Sequence, residues 1–102
     1  MLKPVEIDNN VLERLDELFN YIVNVYKAPD TAHNYIEEIN AFLRNLGGCF
    51  ALAECRRIRW REKGYRCAVF KRRWVFAYKI YDDRVIVHDM EYAPNITDVE
   101  YI

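Results

Sequence analysis

The chain has 102 residues, of which 52% are hydrophobic and 30% are charged, and these values predict one soluble globular domain over residues 1–102. The sequence contains no run of about 18 apolar residues and no apolar signal-peptide core at its N-terminus, so we expect a cytoplasmic protein without a membrane partner. Cys49, Cys55 and Cys67 form no CxxC pair. We therefore expect reduced thiols, no metal site and no cofactor.

The charged residues are unevenly distributed, although the formal net charge is only −1. Residues 56–73, here called the basic segment, combine nine basic side chains with Glu62 as the one acid. The nine are Arg56, Arg57, Arg59, Arg61, Lys63, Arg66, Lys71, Arg72 and Arg73. Such a dense positive band favours binding to phosphates or to an acidic protein. The alternative is a solvated strand face whose arginine stems cover apolar surface.

The first half of the chain has the periodicity of helices. Residues 2–7 are partly β-branched but contain Pro4, which predicts at most an edge strand. Apolar residues then recur at helical spacing from Val11 to Tyr26, and Asn10 with Glu13 resembles a capping box at the start of this helix. The tripeptide 27–29 ends it.

A second amphipathic helix follows at once. Asp30 or Thr31 can cap its start, and Gly47 and Gly48 end it. Two such helices joined by about four residues predict an antiparallel helical hairpin.

The second half has the alternation of strands. Residues 65–70, 74–81 and 85–90 predict three strands with short joints, and the almost wholly apolar residues 74–81 predict the centre of the sheet rather than a base-stacking platform. The fold class is therefore α+β: an N-terminal edge strand, the helical hairpin, then a three- to four-stranded antiparallel sheet. Helices on one face would leave the other face partly open, and Arg59, Arg61, Arg66 and Arg73 could line it.

This order of elements, together with several short motifs, resembles the RelE/ParE superfamily of toxins from bacterial toxin–antitoxin pairs. Gly64-Tyr65-Arg66 matches the family's GyR triplet, and residues 75–83 are similar to its central strand and turn. Further segments that resemble the family are residues 5–7, 12–22, 29–32, 46–47 and 85–88. The resemblance covers nearly the whole chain.

The resemblance implies a toxin that a cognate antitoxin neutralises. Ribosome-dependent nucleases of the family use several basic residues and a tail tyrosine, of which Arg66 and Tyr101 match, whereas Ala68, Val75 and Asn95 stand at other positions of the set. These departures favour a ParE-like inhibitor of DNA gyrase. The alternatives are a ribosome-dependent mRNA endonuclease and an inactive autoregulator that only binds its antitoxin.

The candidate site residues follow from the resemblance and from the charge pattern. Arg66, Arg73, Tyr101 and His88 are candidates for catalysis, and Arg56, Arg57, Arg59, Arg61, Lys63 and Arg72 are candidates for binding a nucleic acid or protein target. Two alternatives stay open: Arg66 could instead pair with Asp82, Asp83 or Asp89, and His88 could be structural. The groove of the helical hairpin and the edge strand near Val5 are the expected antitoxin docking sites.

Overall fold

A computed structural model of the chain describes residues 3–48 and 54–99. Its elements are β1 (Val5–Ile7), α1 (Asn9–Tyr26), α2 (Pro29–Arg44), α3 (Ile58–Glu62), β2 (Arg66–Phe70), β3 (Trp74–Ile80) and β4 (Val85–Tyr92). The α+β class, the opening strand, the two long helices and the three later strands are confirmed. The short helix α3 was not predicted, and it lies within the basic segment.

The four strands form one sheet in the order β1-β4-β3-β2. β2, β3 and β4 are antiparallel neighbours, but β1 pairs with β4 in parallel, with Val5 opposite Val85 and Ile7 opposite Val87. The prediction of an antiparallel sheet is therefore wrong for β1, and the sheet is mixed. Parallel neighbours need a long crossover connection, and the helical hairpin is part of the connection between these two strands.

The two long helices begin at residues other than those predicted, whereas α1 ends at Tyr26, directly before the predicted end at residues 27–29. α1 starts after Asp8 rather than at a capping box, and the side chain of Asn10 instead points to the carboxylate of Asp89 at 3.5 Å. α2 begins at Pro29, a residue suited to a first helical position because its missing N–H is not needed there. After α2, Gly47 approaches the backbone of Lys3 so closely that a Cβ would lie 2.0 Å from the Lys3 carbonyl oxygen.

The main core lies between the helices and one face of the sheet. Its buried members are Val11, Leu15, Ile39, Leu43, Leu46, Phe70, Phe76, Tyr78, Val85, Val87 and Met90. Phe76 and Tyr78 on β3 are 0% and 1% exposed, which confirms that this strand is a buried central strand and not a stacking platform for bases. The alternation of apolar residues along β3 places these rings under the helices.

The other face of the sheet is covered over part of its area by a second, smaller cluster. Trp60 of α3 is 1% exposed there and packs with Ala77 and a disulfide between Cys55 and Cys67. The prediction of reduced thiols is thus wrong for these two cysteines, while Cys49 lies outside the described residues. The expectation of an arginine-rich open face is also wrong where α3 covers the sheet.

Within residues 3–48 and 54–99, none of the helices has the length and apolar character needed to cross a membrane. The same residues contain no group of three or more side chains suited to holding a metal ion.

Reduction of the disulfide should destabilise the fold. The bond closes a loop between cysteines twelve positions apart, and such a crosslink stabilises mainly by restricting the unfolded chain. We expect a reducing agent to lower the free energy of unfolding by about 3 kcal/mol, measured by urea denaturation. The double variant Cys55→Ser with Cys67→Ser should have this lower stability with or without reductant. Equal stability of the protein with and without reductant would contradict a stabilising Cys55–Cys67 disulfide.

Candidate functional site

Much of the basic segment is neutralised by ion pairs. Arg57 is only 7% exposed, and its Nε donates to Oδ1 of Asp98 at 3.0 Å while its guanidinium lies 3.9 Å from Glu91. Arg59 shares the Asp98 carboxylate at 3.4 Å. These contacts tie Asp98, close to the last described residue, to the start of α3, and they occupy the guanidinium of Arg57, which was predicted to bind a target.

The pKa of Asp98 reflects these neighbours. Burial acts to raise it, but the hydrogen bond from Arg57, a backbone hydrogen bond and the charges of Arg57 and Arg59 outweigh burial and lower the pKa below its ordinary value. The carboxylate therefore stays ionised into acid solution.

Two further arginines of the basic segment share one acid. Arg61 lies 3.6 Å and Arg66 3.8 Å from the carboxylate of Glu54. Glu54 is not among the three aspartates expected as partners of Arg66. Because both guanidinium groups are held beside a carboxylate, the field that they could offer a phosphate is reduced.

Three further cations lie at the turn between β2 and β3. Lys71 forms an ion pair with Glu38 of α2, whereas Arg72 and Arg73 are exposed and have no acidic partner within 4 Å in the described part of the chain. Lys71 and Arg72 both adopt positive φ, 50° and 61°, a conformation that costs a side-chain-bearing residue about 1–2 kcal/mol. Glycine or asparagine would fit this turn better, so basic residues stand here at the expense of local stability.

Arg73 also borders an open groove of about 1120 Å³ between the helical hairpin and the end of the sheet. Its aromatic lining consists of Tyr21, Tyr26, Tyr35, Trp74 and Tyr92, and its charged lining of Arg14, Glu17, Arg73 and Glu91. The Trp74 indole donates to the Tyr35 hydroxyl at 3.1 Å and its ring lies 5.3 Å from that of Tyr92, which fixes the indole in place. Arg14 pairs with Glu91 at 3.8 Å inside the groove.

The groove has the composition of a protein-binding surface. Tyr21 is 52% and Tyr26 66% exposed, although large aromatic rings usually pack inside. Tyrosine, tryptophan and arginine are the residues that dominate the binding energy of protein interfaces.

A polar cluster of a different kind surrounds His88. Its Nδ1 lies 2.8 Å from Oδ2 of Asp8, and its Nε2 lies 3.0 Å from the hydroxyl of Tyr81. The Tyr65 ring stacks on the imidazole with centroids 5.0 Å apart and planes 9° apart. Burial, followed by the charges of Tyr81, Asp8 and Asp89, raises the pKa of Tyr65, so its phenol stays neutral.

A register shift in the sheet presents His88 to this cluster. Ala77 pairs with Asp89 and Tyr78 with Val87, so His88 is the extra residue of a bulge on β4. Bulges redirect side chains and occur frequently beside active sites. The parallel pairing of β1 with β4 then brings Asp8, at the end of β1, alongside the bulge.

Among the described residues, the predicted catalytic residues Arg73 and His88 are not brought together. Arg73 precedes β3, whereas His88 lies beside Ala77 and Tyr78, about 15 Å further along the strand at 3.4 Å per residue. Arg66 is paired with Glu54. The side chains of Arg56 and Lys63 are exposed, and Tyr101 lies outside the described residues. Asp8, Tyr65 and Tyr81 were missed because no local pattern links them to His88; only the long-range pairing does.

Comparisons with known protein families, with curated proteins and with solved structures found no match for this chain.

The Arg57–Asp98 pair should make stability depend on pH in acid solution. Since the pKa of Asp98 is lower in the folded state, its ionised form contributes stability at neutral pH, and this contribution disappears as pH falls from the unfolded value near 3.9 through the folded value. We expect Asp98→Asn to be less stable than the parent protein at pH 7, and the difference to shrink below about pH 4. Urea denaturation at several pH values measures this difference in stability between the two proteins. A difference that does not change with pH would contradict the stabilising role of the Arg57–Asp98 pair.

Proposed function

We propose that this chain is the toxin of a type II toxin–antitoxin pair, and that it acts by binding its target rather than by cleaving RNA. The order of a strand, two helices and three strands supports the proposal, as does the resemblance of its motifs to the RelE/ParE superfamily. The observation on which the proposal chiefly rests is the groove, because its exposed aromatic side chains are suited to a protein partner.

The cognate antitoxin is the proposed occupant of the groove. An amphipathic helix could insert apolar residues between Tyr21 and Tyr92 and place acidic residues beside Arg72 and Arg73. These two arginines suit that role because they lack acidic partners within the described residues. Charge complementarity at the rim of an interface favours fast and specific association.

The ion pairs favour a binding toxin over a nuclease. Cleavage of RNA needs several groups aimed at one scissile phosphate. Here Arg66 is held by Glu54, and Arg73 precedes β3 whereas His88 lies beside Ala77 and Tyr78 on the neighbouring strand, about 15 Å away along the strand. We therefore propose a ParE-like mode of action, with DNA gyrase as the target.

Gyrase would require a cytoplasmic location. Disulfides are rare in the cytosol, so the Cys55–Cys67 bond would meet reducing conditions there.

Induced expression of the chain alone should arrest bacterial growth, and coexpression of the protein encoded by the adjacent gene should restore it. Incorporation of labelled thymidine should stop before incorporation of labelled amino acids, because the proposed target acts in replication. Primer extension should detect no cleavage of messages at ribosome-bound codons. Undiminished growth at high expression would contradict the toxin proposal, and translation stopping first would contradict the choice of target.

Truncation of the groove should weaken antitoxin binding selectively. We expect Tyr21→Ala or Tyr92→Ala to cost about 2 kcal/mol, roughly 30-fold in Kd, measured by calorimetry with the purified partner. Leu12→Ala is the matched control, since Leu12 is 47% exposed on the same helix as Tyr21 but does not line the groove. Equal affinities for all three variants would show that the partner docks elsewhere.

A further inference from the structure

The hydrogen bonds around His88 define the direction in which a proton can move. A carboxylate only accepts, so the Nδ1 that faces Asp8 must carry the imidazole hydrogen. In the neutral ring Nε2 is then an unprotonated acceptor, and the Tyr81 hydroxyl donates to it at 3.0 Å. This is the order of contacts of a carboxylate–histidine–hydroxyl triad: an orienting acid, a base and a nucleophile within hydrogen-bond reach.

The position of Asp8 is a second reason to assign the cluster around His88 more than a structural role. Asp8 stands at the N-cap of α1, where an aspartate ordinarily accepts a hydrogen bond from the first turn of the helix. Its side chain makes no such bond and reaches His88 instead, 80 positions away in the sequence. Departures from local rules of this kind are typical of functional sites.

Two lysine ammonium groups border the cluster, on the side of the tyrosine rings. The Lys79 ammonium lies 5.8 Å from the centre of the Tyr81 ring, and the Lys63 ammonium lies 5.9 Å from that of Tyr65. Tyr81, which follows the last residue of β3, is partly exposed, and the His88 side chain is 19% exposed, so the cluster lies at the surface of the protein.

We propose that Asp8, His88 and Tyr81 form a reactive site in which Tyr81 is a nucleophile towards phosphate esters. The Tyr81 oxygen attacks phosphorus and forms an O–P bond, while the bond from phosphorus to the leaving oxygen breaks. The phenolic proton passes to Nε2 of His88, which then gives it to the leaving oxygen. Lys79 and Lys63 bind the phosphate, and Asp8 is a positioning residue that holds the imidazole with Nε2 towards Tyr81.

Covalent labelling with an aryl sulfonyl fluoride tests the nucleophile directly. The reagent forms an O–S bond with a reactive phenol and releases fluoride, and peptide mapping by mass spectrometry locates it. We expect Tyr81 to be labelled at least about tenfold faster than Tyr26, the more exposed tyrosine, because a positioned base typically accelerates such a step by 10² or more. Tyr81 labelled no faster than Tyr26 would overturn the proposal.

Matched variants separate activation from folding. His88→Gln should reduce labelling of Tyr81 to the rate of Tyr26, and Asp8→Asn should reduce it in part. Glu6→Gln is the control, because Glu6 is the neighbouring acid on β1 and pairs with Arg84 at 3.1 Å rather than with His88. Unchanged labelling in His88→Gln would overturn the role of the imidazole.

Two measurements on the unaltered protein remain decisive if the variants fail to fold. A long-range ¹H–¹⁵N spectrum should show the His88 hydrogen on Nδ1 and a bare Nε2 at a pH where the ring is neutral, with Asp8, Asp89, Tyr65, Tyr81 and Lys79 as the titratable groups nearby. The hydrogen on Nε2 would overturn the proposal, since His88 could not then accept the Tyr81 proton. Inorganic phosphate should slow labelling of Tyr81 but not of Tyr26, and lack of protection would overturn the phosphate-ester assignment.

Discussion

The parallel pairing of β1 with β4 is the contact on which the arrangement of this fold depends. It joins residues about 80 positions apart, with the Asp8 amide donating to the Val87 carbonyl at 3.0 Å and the Val85 amide to the Pro4 carbonyl at 2.9 Å. Because β1 lies next to β4 and α1 follows β1 almost directly in the chain, α1 starts beside the bulge on β4. This pairing places the carboxylate of Asp8 beside His88, and the groove lies where the hairpin passes the far end of β4.

Local patterns predicted the elements well, because helix and strand periodicity are properties of neighbouring residues. The stripe from Val11 to Tyr26 and the apolar residues 74–81 correspond to α1 and β3 with small differences at the ends. The helix starts were predicted less well. Asp8 occupies the N-cap position of α1, but its carboxylate contacts His88 on β4 instead of capping the helix.

The candidate site could be predicted only in part, since its geometry comes from contacts that are distant in sequence. His88 was identified as a candidate, but its partners Asp8 and Tyr65 reach it through the sheet and the loop before β2. The arginines were identified as a band, but their acids lie elsewhere, Asp98 in the tail and Glu54 before α3. Charge density in a sequence therefore indicates a polar surface, and only the tertiary pairing shows how much of that charge a partner can use.

Native-state hydrogen exchange at the junction of β1 and β4 tests this account most directly. If the parallel pairing holds, the amides of Asp8 and Val85 exchange far more slowly than in an unstructured peptide, and their exchange accelerates together when β1 is disrupted. Exchange of both amides at the rate of a free peptide, while β3 stays protected, would contradict the account. β1 would then be detached from the sheet, and Asp8 would have no fixed position beside His88.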